Sequence, residues 1–398
     1  MAVANSDFDI LIVGAGLTGL MAAHELAEAA NGAVALVAPT NKSADGRTTA
    51  MLMPAIAKLQ EFGVWDDVKP ETAPLRMMRL IDGSKRLLRA RPITFDSSEL
   101  DREAFGYNVP NAKMTAMLER SLPANVERIE ASVEHAECGE TGVTLKLGNG
   151  QTLTAHTAVA ADGRNSVLRE AASIQTRRWS YPQVALVTTF AHSLPHQGIS
   201  TEFHTETGPF TQVPLPPTAD AKHRSSLVWV VRPEQVARIR ALDRFAASRE
   251  IESKMQSMLG EVSVEVDLQG FPLTGMTATQ FGANGVALIG ESAHVFPPIG
   301  AQGFNLGVED IAQLSQVLSA GPENALAEYD RRRRIDVGAR TAGVDLLNRS
   351  LLTDFLPVQA ARAAGVAALS QFGMLRRAIM RQGLGASRET SPAAASPT

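Results

Sequence analysis

The sequence contains very little cysteine and few of the larger aromatic residues. Cys138 is the only cysteine among 398 residues, and there are three tyrosines and three tryptophans. A single thiol excludes an internal disulfide, a zinc site built on several thiolates and an iron–sulfur cluster. This cysteine content fits a reducing compartment, so we expect a cytoplasmic protein, and we predict no metal site.

Long apolar runs and a strong excess of charge are also missing. No stretch approaches the roughly 20 apolar residues that span a bilayer, and the first residues lack the basic and apolar regions of a secretory signal. We therefore expect a chain that is neither secreted nor transmembrane. The formal net charge of −4 argues against nucleic acid as a partner.

Short apolar runs separated by glycine are what the sequence has instead. The chain opens with an apolar run at 8–13, a glycine-rich turn, a helix-forming segment and a second apolar run at 34–37. This order is a βαβ unit, which requires a parallel sheet. Similar runs at 157–161 and 286–289 are bounded by glycine, so we expect these distant pieces to share one sheet.

The middle of the chain follows a different pattern. From about residue 180 to residue 271, strand-like pieces alternate with proline-rich connections. This pattern predicts a separate sheet with mixed or antiparallel pairing, inserted into the first domain. The segment 77–91 is predicted to add one more strand or hairpin to it.

The turn GAGLTG, from Gly14 to Gly19, has the spacing G-x-G-x-x-G between a strand and a helix. Gly14 permits the tight turn, Gly16 lets the backbone approach a pyrophosphate, and Gly19 allows close packing of helix on strand. The helix that follows directs its positive N-terminus at the phosphates. The turn predicts dinucleotide binding, and a purely structural turn is the alternative.

The acid that usually accompanies this turn is absent. A dinucleotide site normally has an aspartate or glutamate at the end of the second strand to hold the adenosine ribose. Ala38 and Pro39 stand there. Either backbone groups, Thr40 or Asn41 hold the ribose, or the affinity for the adenosine is weaker than usual.

Two later strands also end in polar motifs. The first, ADGRNSVLR, places Asp162 and Gly163 after a strand, which is typical of a simple turn or of a loop near a pyrophosphate. The second is GESAHVFPPIGAQGFNLGVED, from residue 290 to residue 310. Its first residues resemble a nucleophile elbow, but an elbow requires G-x-S-x-G and His294 occupies the fifth position. We therefore reject Ser292 as a nucleophile and predict a strand that delivers Glu291, followed by a loop and a helix beginning near 304–307.

Taken in order and at these separations, GAGLTG, DGRTTA, ADGRNSVLR and GESAHVFPPIGAQGFNLGVED resemble the class A flavoprotein aromatic hydroxylases. The resemblance is strongest to the ubiquinone-biosynthesis hydroxylases of the UbiH, UbiF and UbiL type, and it extends to about residue 385. It implies FAD bound noncovalently, NAD(P)H as co-substrate and a flavin C(4a)-hydroperoxide that hydroxylates an electron-rich ring. The implied substrate is the aromatic ring of a prenylated ubiquinone precursor.

The resemblance also implies roles for individual residues. Contacts with the FAD pyrophosphate would come from Gly14, Gly16, Leu17, Thr18 and Gly19, and Arg47 of DGRTTA would reach the ribityl and pyrophosphate region. Without the resemblance, a lone arginine such as Arg47 is more typical of a solvated loop than of a ligand contact.

Three further sets of residues complete the implied cofactor site. Asp162 and Gly163 would form the motif shared by FAD and nicotinamide binding, and Glu291 would contact the ribityl chain. The loop over the flavin ring would comprise Pro298, Gly300, Gln302 and Gly303. The sequence departs from the family at Ala38, and at Glu291 where aspartate is more usual.

The predicted fold is therefore α/β. A discontinuous, Rossmann-like FAD-binding domain with a parallel sheet takes residues 1–76, 92–178 and 272–340. An inserted substrate domain with a mixed or antiparallel sheet takes residues 77–91 and 179–271. A helical region follows at 341–385, and the small, polar residues 386–398 are predicted to be disordered.

No general base is assigned from the sequence. Four histidines of the inserted domain are each more typical of structural or surface positions: His192, His196, His204 and His223. His294 is predicted to be a structural partner within its loop.

The C-terminal region combines apolar residues at helical spacing with Arg376, Arg377 and Arg381. Such a helix either packs on its own domain or rests on anionic lipid. A prenylated substrate favours transient membrane contact at the inner face, and a ubiquinone-biosynthesis complex is a further expected partner. Two other functions stay open, a hydroxylase of soluble aromatic or polyketide substrates and a flavin-binding, non-catalytic subunit.

Overall fold

The computed structural model describes residues 7–30, 32–40, 47–83, 91–139, 141–297, 302–321, 324–352 and 373–383. In chain order the strands are β1 Phe8–Val13, β2 Val34–Val37, β3 Thr48–Leu52, β4 Ala73–Pro74, β5 Met77–Asp82, β6 Ile93–Asp96, β7 Gly106–Pro110, β8 Val126–Ile129, β9 Val133–Gly139, β10 Gly142–Leu147, β11 Thr152–Ala160, β12 Thr176–His192, β13 Ile199–Thr205, β14 Gly208–Leu215, β15 Arg224–Val231, β16 Val262–Val264, β17 Gln269–Ala278, β18 Gly282–Ala283, β19 Val286–Leu288 and β20 His294–Val295.

The helices lie between and after these strands. In chain order they are α1 Leu17–Ala29, α2 Met53–Glu61, α3 Trp65–Val68, α4 Asn111–Arg120, α5 Val167–Ala171, α6 Pro233–Arg240, α7 Arg244–Lys254, α8 Gln302–Ala320, α9 Ala325–Leu352 and α10 Gly373–Gly383. Short 3₁₀ turns span Lys69–Glu71, Ser97–Leu100 and Gly290–Ser292.

The first sheet, which we call the nucleotide sheet, has the strand order β18-β19-β11-β1-β2-β8, and the β9–β10 hairpin pairs with β11. Pairing is parallel from β19 through β11, β1 and β2 to β8. The strands that were predicted to share one sheet therefore do so. Their side chains are buried on both faces, as expected for parallel strands covered by helices.

The second sheet has the order β20-β17-β12-β15-β14-β13-β5-β6, with β16 on β12. Its pairs are antiparallel except for β13 with β5, so the predicted mixed sheet is present. The strand expected within 77–91 is β5. The sheet also takes β6, from the next segment, and β12 begins at Thr176, a few residues before the predicted change of pattern.

A small third sheet, β3-β7-β4, lies between the other two. Thr48 at the start of β3 donates a hydrogen bond from Oγ1 to Ser226 Oγ of β15 at 3.1 Å. Asn108 of β7 is buried and donates to the Pro214 carbonyl of β14 at 2.9 Å. Since both contacts join buried or half-buried polar groups, they fix the third sheet against the second.

The C-terminal part of the chain is helical in α9 and α10. Met380 of α10 is buried with Ile93, Phe95 and Phe105 in one apolar cluster. Arg376 donates to Glu99 Oε2 at 2.7 and 3.0 Å. The helix therefore packs on its own protein at these points, and the predicted disordered tail at 386–398 lies outside the described residues.

Candidate cofactor site

The GAGLTG turn connects β1 to α1 and contains three glycines with different surroundings. Gly14 has φ +110°, and a Cβ there would overlap the Ala161 carbonyl. A Cβ on Gly19 would overlap the Gly14 carbonyl, which is how α1 reaches the strand so closely. At Gly16, the N-cap of α1, a Cβ would come within 4 Å of no other heavy atom in the described part of the chain. Two glycines thus serve packing, and the third opens the helix N-terminus to a ligand.

The start of α1 also contacts the motif GESAHVFPPIGAQGFNLGVED. Leu17 is the first residue of α1, and the Thr18 side chain follows it. A Cβ built on Gly290 would lie 3.0 Å from Thr18, and one on Gly307 of α8 would lie 3.3 Å from it. The glycine turn and the stretch beginning at Gly290 are therefore adjacent in space, although they are about 270 residues apart.

The Asp162-Gly163 motif follows β11, the neighbour of β1. Asp162 accepts a hydrogen bond at Oδ2 from the Val167 amide at 2.8 Å, which holds the start of α5. Its other oxygen, Oδ1, is buried and has no hydrogen-bond partner among the described residues. Burial raises the pKa of this carboxyl, and the hydrogen bonds that it accepts only partly offset that effect. Gly163 is open, since a Cβ there would meet no described atom within 4 Å.

Arginines connect this motif to the turn Gly290–Ser292. Arg169 of α5 is buried and donates to the Ser292 carbonyl and the Arg164 carbonyl, each at 2.8 Å. Arg164 in turn donates from Nε to Glu291 Oε2 at 3.1 Å. The predicted ribityl carboxylate, Glu291, is therefore exposed and paired with an arginine of the second motif.

Ser292 is buried and structural. Its hydroxyl donates to the Ala160 carbonyl at 2.6 Å and accepts from the Ile289 amide at 3.2 Å. It is fully inaccessible to solvent. The rejection of a serine nucleophile is confirmed, because the hydroxyl joins β11 to the end of β19 and cannot reach a substrate.

Behind this turn lies a buried ionic cluster that the sequence did not reveal, which we call the buried network. Asp310 of α8 lies with Oδ2 2.7 Å from His294 Nε2 and 2.9 Å from the Gly290 amide, which donates to it. Arg333 of α9 donates from Nε to Asp310 Oδ1 at 2.7 Å. His294 is thus the structural partner that was predicted, and Asp310 belongs to the quoted NLGVED stretch without having been given a role.

Burial and charge act in opposite directions on these groups. Burial alone would raise the pKa of Asp310, but the contacts with the His294 ring and the Arg333 guanidinium outweigh it and hold the pKa below its ordinary value. For Arg333, burial alone would lower the pKa, and the acidic groups around it, Asp310 first and also Asp336 and Glu309, outweigh it. Because each charge is matched, the network fixes the turn Gly290–Ser292 to α8 and α9.

The remaining predicted site residues are only partly described. Arg47 is exposed immediately before β3, and its carbonyl accepts from the Asn111 amide. Pro298 and Gly300 lie outside the described residues. Gln302 is the first residue of α8, which begins two residues before the predicted start, and Gly303 follows it as an exposed residue.

Asn305, in the first turn of α8, is a positioning residue that sequence reasoning missed. Its Oδ1 accepts from the Leu52 amide, and its Nδ2 donates to the Ala50 carbonyl, both at 2.9 Å. These bonds attach the first turn of α8 to β3. The signal available in the sequence was a lone asparagine in the motif GFNLG, which does not identify its partner strand.

The histidines described here in the second sheet are not assigned as a catalytic base. His192 is buried, its Nε2 lies 2.9 Å from Ser225 Oγ, and burial lowers its pKa. His204 lies 2.8 Å from Glu202 through Nε2. Both have structural partners, as predicted for histidines of this domain, and no catalytic residue is assigned.

The end of β2 carries an unexpected arrangement. Ala38 presents no acid, but the Arg128 guanidinium of β8 donates to the carbonyls of Ala38 and Ile129 at 2.8 and 2.7 Å. Thr40, just beyond, donates from Oγ1 to Glu130 Oε2 at 2.7 Å. A carboxylate from the neighbouring strand is therefore present at the exit of β2.

The fold and these motifs define a class of protein, the FAD-binding aromatic hydroxylases. The model of the FAD binding domain family matches residues 7–341, and the chain belongs to that family. The protein is an FAD-dependent monooxygenase of the class A type, as the resemblance implied, with FAD as its cofactor and NAD(P)H as co-substrate.

Individual relatives extend over nearly the whole chain. It is 32% identical over 394 residues to the ubiquinone hydroxylase UbiL of Rhodospirillum rubrum, covering 95% of this chain and 89% of that protein. It is 28% identical over 400 residues to the 3-demethoxyubiquinol 3-hydroxylase of Escherichia coli, covering 96% and 99%. Among solved structures, p-nitrophenol 4-monooxygenase PnpA of Pseudomonas putida superposes with a TM-score of 0.76 at 20% identity, covering 96% and 99%. That last similarity shows the fold.

The residues present fit FAD. The α1 N-terminus is open at Gly16, where a diphosphate can approach the backbone amides. The buried Oδ1 of Asp162 is an acceptor that needs a donor, and hydroxyl groups of the cofactor are donors. The three motifs that were separate in sequence are brought to one edge of the nucleotide sheet, while the contacts predicted for each residue stay predictions.

Proposed function

We propose that the protein hydroxylates the aromatic ring of a prenylated ubiquinone precursor, using NAD(P)H and O₂. The observation that carries this proposal is the similarity to the ubiquinone hydroxylase UbiL over 95% of the chain, with the second sheet included. A similarity confined to the cofactor-binding segments would support only flavin binding. Here it includes the region that forms the second sheet, where a substrate domain is expected.

In this proposal the open side of the glycine turn holds the FAD pyrophosphate, with Gly16 giving access and α1 supplying its positive end. Arg47, exposed immediately before β3, would reach the ribityl and pyrophosphate region. Asp162, Gly163 and Glu291 would contact the ribityl and pyrophosphate region, and Gln302 and Gly303 at the start of α8 would lie at the flavin ring. When bound, FAD supplies the redox and oxygen chemistry of the reaction.

The protein's own contribution is positioning and exclusion of water. The buried network and Asn305 hold the turn Gly290–Ser292 and the start of α8 at fixed positions relative to β3. Thr48 attaches β3 to the second sheet in turn. A ring that binds between the sheets would therefore meet the cofactor at a defined distance, which is the requirement for oxygen transfer to one ring carbon.

We further propose that the protein works at the inner face of the membrane with transient contact, within reach of a ubiquinone-biosynthesis complex. The prenyl tail of such a substrate partitions into the bilayer, so the enzyme must receive it from there. Within the described residues, no helix combines the length and apolarity needed to cross a bilayer. Met374 of α10 is exposed and is followed in the sequence by Arg376 and Arg377. This supports an interfacial role for the helix, even though Met380 packs inward.

The experiment that tests the function uses the purified protein with FAD. Oxidation of NAD(P)H should be stimulated by a detergent-dispersed prenylated phenol, and mass spectrometry should find a product heavier by one oxygen atom. Water-soluble phenols serve as matched controls. If only these are hydroxylated, the soluble-substrate alternative is correct; if the protein takes up FAD but no phenol stimulates NAD(P)H oxidation, the non-catalytic alternative is correct.

Membrane contact is tested separately. Deleting residues 372–381 should reduce co-sedimentation with anionic vesicles while leaving FAD content unchanged. The substitution Arg376→Gln, which also breaks the contact with Glu99, is a second variant with a smaller change. Equal sedimentation of the full-length and truncated proteins would contradict the proposed contact.

A further inference from the structure

The cofactor site lacks its usual ribose acid, and the structure shows where a replacement stands. In the nucleotide sheet, Val13 of β1 pairs with Val37 of β2, and Val37 pairs with Ile129 of β8. The next residues, Gly14, Ala38 and Glu130, are therefore level with one another at the carboxyl edge of the sheet. This edge is where parallel sheets bind their nucleotides.

Glu130 is the residue of this row that has a carboxylate. The pairing continues one residue past the strands, because the Ala38 amide donates to the Ile129 carbonyl at 3.2 Å. Neighbouring strands lie about 4.8 Å apart, so a glutamate directly after β8 can reach the space in front of Ala38. Glu130 is exposed, as a ligand-binding carboxylate at this edge must be.

The orientation of this carboxylate is set by Thr40. The Thr40 hydroxyl donates to Glu130 Oε2 at 2.7 Å, and Thr40 lies two residues beyond Ala38 in the exit of β2. The carboxylate therefore leans from its own strand towards β2. A carboxylate has about four acceptor positions and Thr40 uses one, so capacity for a ribose hydroxyl is left.

The strand ends are also held together beneath it. Arg128 donates to the carbonyls of Ala38 and Ile129 and pairs with Glu119 through Nε at 3.1 Å. Its guanidinium fixes the exit of β2 against the exit of β8. The carboxylate of Glu130 is thus presented from a rigid edge, which lowers the entropy lost when it binds a ligand.

We propose that Glu130, oriented by Thr40, accepts the hydrogen bond from the adenosine ribose hydroxyl of FAD that an acid at position 38 makes in other dinucleotide sites. The ribose acid is then present in this chain but is donated by the adjacent strand. The proposal rests on FAD as the cofactor and is independent of the ring that is hydroxylated. Ala38 leaves room for the ribose because a methyl group occupies little of the space between the strands.

The test measures FAD affinity by quenching of flavin fluorescence on titration of the apoprotein, without NAD(P)H or substrate. Glu130→Gln should raise the Kd for FAD roughly ten-fold, the size expected for loss of one hydrogen bond to a charged acceptor. Thr40→Val should raise it about three-fold, since the carboxylate stays but loses its orientation. Glu127→Gln, an exposed glutamate on the same strand, is the matched control and should leave the Kd unchanged.

A second ligand shows whether the hydroxyl itself is recognised. For the wild type, an FAD analogue whose adenosine ribose lacks the 2′ hydroxyl should have a Kd about ten-fold higher than that of FAD. For Glu130→Gln, the analogue and FAD should have about the same Kd. The proposal is overturned if Glu130→Gln binds FAD like the wild type, or if the analogue is penalised equally in both proteins. Should Glu130→Gln fail to fold, Glu130→Asp and the wild-type analogue titration decide the matter. A protein that binds FAD in this way but hydroxylates no prenylated phenol would refute the proposed function and leave this inference intact.

Discussion

The turn Gly290–Ser292 has two sides, and each carries an acid paired with an arginine. On the inner side, the buried network of His294, Asp310 and Arg333 is 0%, 0% and 3% exposed. On the outer side, Arg164 and Glu291 are 48% and 54% exposed. The two sides use the same chemical groups at similar distances, and they differ in access to water.

This difference in exposure distinguishes residues that stabilise the fold from residues that are free to bind a ligand. Inside, removal of Asp310 leaves His294 without its carboxylate and leaves Arg333 with Asp336 as its acid. Water cannot replace the lost contacts of these buried groups, so the loss destabilises the fold. Outside, water screens the pair, which contributes little to stability and is free to exchange its partner for a ligand. The glycine turn repeats the division, since Gly19 faces protein and Gly16 faces open space.

Asp310→Asn tests the inner side and should have the largest effect. The substitution removes the carboxylate that contacts both His294 and Arg333, and we expect a loss of about 3–5 kcal/mol in the free energy of unfolding. Urea denaturation of the apoprotein measures it. Glu309→Gln is the matched control, because Glu309 pairs with Arg340 in a partly exposed position and its loss should cost at most about 1 kcal/mol. Equal losses in the two variants would contradict the comparison.

Gly16→Val tests the outer side of the glycine turn. The Cβ of a valine there has room, but the side chain occupies the approach to the helix N-terminus, so we expect the Kd for FAD to rise at least ~100-fold. The melting temperature of the apoprotein should change little. Gly19→Val should do the reverse and destabilise the apoprotein, because its side chain overlaps the Gly14 carbonyl. A Gly16 variant that retains normal flavin content would refute the assignment.

Lowering the pH should reduce the stabilisation that the ionised Asp310 gives to the fold. Because the pKa of Asp310 is held below its ordinary value of 3.8, its ionised form stabilises the fold fully above that value. This contribution is lost as the pH falls through the lower, folded-state pKa. The stability gap between wild type and Asp310→Asn should thus be constant above about pH 4 and narrow below it, by at most about 1.4 kcal/mol per pH unit. A gap that does not narrow below pH 4 would contradict a lowered pKa of Asp310.

Glu291→Gln should have the smallest effect on folding. We expect a change of at most about 1 kcal/mol in the free energy of unfolding, as for other exposed pairs. If Glu291 contacts the ribityl chain, the Kd for FAD should nevertheless rise several-fold. Arg164→Gln is the companion variant, which breaks the same ion pair without removing the carboxylate. Loss of FAD affinity in Arg164→Gln alone would place the ligand contact on the arginine.

The sequence predicted the parts of the fold that are encoded locally. The β1–α1–β2 unit and the roles of Gly14 and Gly19 follow from apolar periodicity and glycine spacing, and the structure confirms them. The structural role of His294 was also predicted, because it lies close to Ser292 in the loop of GESAHVFPPIGAQGFNLGVED. The division of the chain into domains and the contacts of each residue with FAD stay predictions.

What the sequence did not show depends on distant pairing. Asp310 and Arg333 are 23 residues apart on two helices, and no local pattern indicates that they meet. Glu130 lies beside Ala38 only because β8 pairs with β2 across about 90 residues of chain. An acid that is missing from one strand cannot be traced to the next strand until the strand order is known.

The strand order of the nucleotide sheet also determines how the chain can fold during synthesis. β1 and β2 leave the ribosome first, yet their sheet is completed by β11 and finally by β19. At synthesis rates of roughly 5–20 residues per second, the roughly 250 residues between β2 and β19 take on the order of 12–50 seconds. For that time the sheet is incomplete, because β8 and β11 join β2 and β1 partway through synthesis and β19, the other neighbour of β11, comes only after the second sheet is made. Nascent chains that stop before residue 286 should therefore be the ones that chaperones bind.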